Sequence, residues 1–66
     1  MTDVLIGKVG HVTAEIPAGG QRKGEVMIHG QAYHALPADP AATIERGARV
    51  TVVEHFPPRT IVVTPF

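Results

Sequence analysis

The chain has 66 residues, no cysteine, and six Lys and Arg against six Asp and Glu, for a formal net charge of zero at pH 7. That length allows one domain, residues 1–66, with a thin core, because so small a domain buries only about 60% of the surface its unfolded chain exposes. Lack of cysteine excludes a disulfide framework and a thiolate zinc site, zero net charge gives no electrostatic footprint for a phosphate backbone, and no apolar run approaches the roughly 20 residues that span a bilayer.

Met1-Thr2-Asp3 lacks the basic start of a signal peptide, so the chain as given is expected to be soluble, and the absence of cysteine fits a cytoplasmic setting. The apolar run Val4-Leu5-Ile6 follows at once, as in a piece cut from something longer; Met1 then reads either as a native start or as a start codon added to that piece. β-Branched residues cluster in short runs separated by Gly and Pro, and no window has the three-and-four apolar spacing of a helix, so the domain reads as all-β. A long first strand is predicted from Val4 to Ile16, bent at Gly7 and Gly10 as at a barrel corner. Pro17 to Lys23 is a loop. Gly24 to His29 is the second strand, with Val26 and Ile28 on one face.

His29-Gly30-Gln31 reads as a hairpin turn into a third strand, Gln31 to Leu36, with Tyr33 and Ala35 on its inner face. Pro37 and Pro40 bracket Ala38-Asp39, and Ala41 to Arg46 is too short for a stable helix, so the chain is expected to cross the barrel here as one helical turn or a loop that ends in a turn at Gly47. Arg49 to Phe56 is the fourth strand, ended by Pro57-Pro58, and Thr60 to Thr64 is the fifth. Five strands, a glycine-bent first strand, a tight hairpin between the second and third, and a crossing before the fourth match a five-stranded Greek-key OB-fold barrel. An SH3-like barrel is the rival, but it would place its single helical turn between the last two strands.

The residues Leu5-Ile6-Gly7-Lys8-Val9-Gly10, Pro17, Gly24-Glu25-Val26, Gly30, Tyr33 with Ala35, Ile44, Gly47, Arg49-Val50 and Ile61-Val62-Val63-Thr64-Pro65 together resemble the C-terminal soluble domain of the NfeD family. The resemblance spans almost the whole chain and consists of glycines and core positions, not of a catalytic signature. It implies an OB-fold domain tethered to membrane-spanning helices that lie outside this chain. It further implies a parent protein in the plasma membrane, with the domain facing the cytoplasm and acting beside a stomatin or prohibitin-like (SPFH) membrane partner. The sequence departs from the family in two places: Leu36 to Thr43 is richer in Ala and Pro, and Pro57-Pro58 stands where a short polar turn is usual. Some longer members carry a serine-protease domain upstream, but this chain contains no serine, so that activity does not carry over.

With neither Ser nor Cys, the candidate nucleophiles are threonines and lysines. Thr2 would need removal of Met1 and a supporting constellation that the neighbouring residues do not supply, so it reads as structural and the chain as no enzyme. His11, His29, His34 and His55 have metal-ligand chemistry, and His29 and His34 flank the hairpin. No carboxylate is expected opposite them, a third ligand is missing, and no metal or other cofactor is expected. All four read as solvated strand histidines.

OB barrels bind ligands on the face of strands two and three and in the loops joining strands one to two and four to five. Here that region offers Arg22, Lys23, Met27, His29, His34, Phe56, Pro57, Pro58 and Arg59 as partner-binding candidates. Single-strand binding wants aromatics interleaved with basic residues, and the only aromatics are Tyr33, Phe56 and Phe66, with Tyr33 expected to point into the core. The main reading is therefore a protein-interaction domain that docks on a membrane-associated partner or on copies of itself, with a nucleic-acid-binding OB module as the alternative. Phe56 has two readings, an anchor for a partner or a plug closing the barrel's end.

Overall fold

The structure, a computed structural model, describes residues 4–66, so the readings of Met1 and Thr2 fall outside the described residues. Five strands follow in chain order: β1 (Val9–Ala14), β2 (Gly24–Ile28), β3 (Gln31–Pro37), β4 (Arg49–Phe56) and β5 (Thr60–Pro65). They close into a barrel in the order β1-β2-β3-β5-β4, with β4 returning to β1. Every neighbouring pair is antiparallel except β3 and β5, which run parallel. This is the five-stranded Greek-key OB arrangement, all-β, with no helix among the described residues.

Period-two alternation sets which side chains face inward. In β2, Val26 and Ile28 are buried while Glu25 and Met27 between them are only partly so; β5 repeats the pattern with Ile61 and Val63. The buried core is Val12, Ile16, Val26, Ile28, Ala35, Ile44, Val50, Val52, Ile61 and Val63. Leu5, Tyr33 and Ala48 pack against it from the rim.

Two elements differ from the sequence reading. The first strand is shorter than Val4 to Ile16: residues 4–7 form a turn in which the Lys8 amide donates to the Leu5 carbonyl at 3.0 Å, and Gly7 has φ +87°. At the other end, Ile16 lies beyond β1 and pairs with Ile44 through two backbone hydrogen bonds of 2.9 Å. The hairpin turn is two residues, not three: His29 at φ 51° and Gly30 at φ 80° supply the positive values that a tight type I′ connection requires, and Gln31 already pairs with Ile28. The crossing from residue 38 to 48 takes the loop form of the two expected, without a helical turn; the Asp39 carboxylate and carbonyl accept from the amides of Ala41 and Ala42 at 3.0 Å each.

Gly24 opens β2 against residues 14–16, at the end of the first segment. A Cβ there would lie 2.5 Å from a methylene of Ile16 and within 2.7 Å of the carbonyl oxygens of Glu15 and Ala14. Backbone oxygens cannot swing aside, so the position has no room for a side chain. Gly24→Ala should therefore destabilise the domain by about 1 to 3 kcal/mol through overpacking. Gly30→Val, which meets open space but a forbidden φ, should lose about 1 kcal/mol or more. Urea melts of both variants check these values; a neutral Gly24→Ala would show that the strands part without strain.

Candidate functional site

The topology sorts the loops by barrel end. Residues 15–23 and the crossing share one end, where the Gly19 amide donates to the Pro40 carbonyl at 2.6 Å and the Ala18 amide to Thr43 Oγ1 at 3.2 Å. The His29–Gly30 turn and residues 57–59 share the other, where Arg59 Nη1 donates to the Ala32 carbonyl at 3.0 Å. The nine partner-binding candidates are thus not one loop cluster. Arg22 and His29 stand exposed at opposite ends, with Met27 half-buried between them and opposite Ala32.

The structure gathers the others around a residue that the sequence reading passed over. Thr60, the first residue of β5, is partnered by His34 across the parallel pair and by Phe56 across the antiparallel one. Cross-strand partners share a face, so His34, Thr60 and Phe56 form a row on the barrel's outside. Lys23 Nζ donates to Thr60 Oγ1 at 3.4 Å from the far loop, and the His34 amide donates to the Arg59 carbonyl at 2.8 Å. Pro57 and Pro58, joined by a cis peptide bond, continue the row as exposed residues. The strip so formed has one large apolar group, Phe56 at 52% exposure on the β4 side of Thr60, while the cations of Lys23 and Arg59 make their hydrogen bonds at Thr60 and on β3. Phe56 therefore does not plug the barrel.

The histidines separate into two kinds. His34 faces Glu25 directly across the β2–β3 ladder, so the expectation that no carboxylate lies opposite is corrected; that carboxylate accepts a 2.8 Å hydrogen bond from Thr13 Oγ1. His29 and His34 are nevertheless at least three ladder steps apart, roughly 10 Å at about 3.3 Å per residue. His55 is not a solvated strand histidine: it is half-buried, facing Tyr33 edge-on with ring centroids 6.5 Å apart. A bulge between Val52 and Glu54 turns it inward, opposite buried Ile61. Tyr33 lies on the inner face as expected but only half-buried, its hydroxyl donating to Gln31 Oε1 at 3.2 Å. No group of three His, Cys, Asp or Glu among the described residues is placed to hold a metal ion.

A model of the NfeD C-terminal domain family matches residues 9–64. The chain belongs to that family. Two solved structures are similar to this NfeD domain throughout. One is the soluble domain of a membrane protein implicated in regulation of membrane protease activity from Corynebacterium glutamicum, with a TM-score of 0.79, 27% identity, and coverage of 91% of this chain and 89% of that one. The other is the C-terminal domain of stomatin operon partner protein 1510-C from Pyrococcus horikoshii, with a TM-score of 0.79, 25% identity, and coverage of 96% and 89% respectively. No curated protein matches the chain.

Two outcomes follow from this geometry. Zinc added to the NfeD domain should bind no tighter than it does to a surface histidine pair; submicromolar affinity by calorimetry, lost on His29→Ala or His34→Ala, would show that the hairpin rearranges around the ion. Exposed Phe56 and Phe66 sit at opposite ends of the paired strands β4 and β5, too far apart to form one stacking platform. A labelled single-stranded oligonucleotide should accordingly show only weak anisotropy changes, abolished by moderate salt.

Proposed function

We propose that this NfeD domain is a non-enzymatic protein-interaction module, the soluble part of a membrane protein, which docks through its outer strip on a stomatin or prohibitin-like (SPFH) membrane partner at the cytoplasmic face. The carrying observation is the convergence of Lys23, His34, Phe56 and Arg59 on Thr60. An exposed aromatic on one side of Thr60 and cations on the other, beside prolines that limit the entropy lost on docking, have the composition of an interface anchor with a polar rim. The name of the Pyrococcus horikoshii neighbour, a stomatin operon partner, supports a partner of that class. No helix among the described residues is long and apolar enough to cross a membrane, so in this reading the membrane is reached through other segments of the parent.

Pro57, Pro58 and Arg59 are exposed and lie outside the core, and the one side-chain hydrogen bond lost with Arg59, to the Ala32 carbonyl, is itself on the surface, so binding and stability can be read separately there. In the full-length parent, replacing Pro57 and Arg59 together by alanine should weaken co-purification with an SPFH partner by about tenfold or more, the loss expected of one anchoring contact. The melting temperature of the domain should stay nearly unchanged. Retained association in that double variant would move the interface off the strip.

A further inference from the structure

At the end of the barrel that holds the His29–Gly30 turn, an open cleft of about 370 Å³ lies between the N-terminal turn and the β2–β3 hairpin. One wall is apolar, made by Val4, Leu5, Ile28 and the ring of Tyr33. The remaining lining residues are Lys8, His29 and Gln31, and no Asp or Glu joins them among the described residues. None of the candidate residues of the outer strip lines this cleft.

The polar groups all offer donors. The side chains of Lys8 and His29 have no hydrogen-bond or ion-pair partner among the described residues. Gln31 uses its carbonyl oxygen to accept from the Tyr33 hydroxyl, which leaves its amide NH₂ as the end able to donate into the cleft. An ammonium, an imidazole and an amide, converging beside an aliphatic wall, complement an anion that carries a short apolar stem.

The rim is fixed before any ligand arrives. Gly7 and Lys8 are tied to β4 through the Gly7 amide donating to the Val52 carbonyl at 2.8 Å and the Val52 amide donating to the Lys8 carbonyl at 2.9 Å. On the opposite rim His29 holds φ at 51°, in a turn position where Asn, Asp or Gly is the usual occupant. Neither the fold nor the core needs an imidazole there, and the strained position is the one that puts it on the cleft.

We propose that this cleft is a binding site for a small aliphatic carboxylate, its stem against Leu5 and Ile28 and its carboxylate met by Lys8, His29 and Gln31. The volume, at the lower end of small-molecule sites, favours a free acid of a few carbons over a protein segment. Hexanoate, hexanol and acetate, each titrated into the ¹⁵N-labelled chain and followed by amide shifts, test it. Hexanoate should produce saturable shifts confined to Leu5, Lys8, His29, Gln31 and Tyr33, while hexanol and acetate bind at least about fivefold more weakly, for want of the charge in one and the stem in the other. Lys8→Met should weaken hexanoate by a similar factor, and His29→Asn, which keeps the turn, should weaken it also. Shifts that fail to saturate, equal binding of hexanol, or indifference to both substitutions would overturn the proposal. So would an N-acetylated dipeptide binding more tightly than hexanoate, because the occupant would then be a chain terminus.

Discussion

The narrow bore of a five-stranded barrel governs everything else in this molecule. Barrel diameter grows with strand number, and five strands leave an interior that only compact side chains fill. The ten buried core residues are accordingly Val, Ile and Ala alone. Nine of them are β-branched, which fit the pleated strand as well as the small interior, so local preference and packing ask for the same residues. No Phe or Tyr ring is among the fully buried residues. Tyr33 is held at the rim, and Phe56 and Phe66 are left outside.

Much of this was legible in the sequence, for reasons that can be located. Strands β2 to β5 announce themselves through alternation bounded by Gly and Pro, and Gly30 and Gly47, read as turn residues, both carry positive φ. The extent of the first strand was not legible, because Val4-Leu5-Ile6 looks like a strand whether it pairs or merely caps an open end. The inward turn of His55 was equally hidden. Strict alternation from Val50 and Val52 would bury Glu54; the bulge spares the carboxylate and sends His55 inward, and no glycine marks the place. Thr60 was missed because its neighbours His34, Phe56 and Lys23 are distant in sequence and meet only through the register of two ladders.

The core and the two proposed sites occupy different atoms here. Inward positions fill the bore, while the strip around Thr60 and the cleft beside His29 are built mostly from outward side chains, loops and the rim. Relatives that share about a quarter of their residues with this chain keep the same barrel at a TM-score of 0.79. The frame therefore survives wide sequence replacement, as expected when total volume and patterning specify it.

Closure of the barrel has one more consequence. Each of the five strands has a hydrogen-bonded neighbour on both sides, because β4 pairs with β1 as well as with β5. Among the described residues no strand presents a whole unpaired edge for a foreign chain to extend, which restricts the usual route by which β proteins recruit strands or coalesce into fibrils. A surface contact made through side chains leaves the ladder beneath it intact, so exposed residues such as Pro57 and Phe56 can change without unpairing a strand.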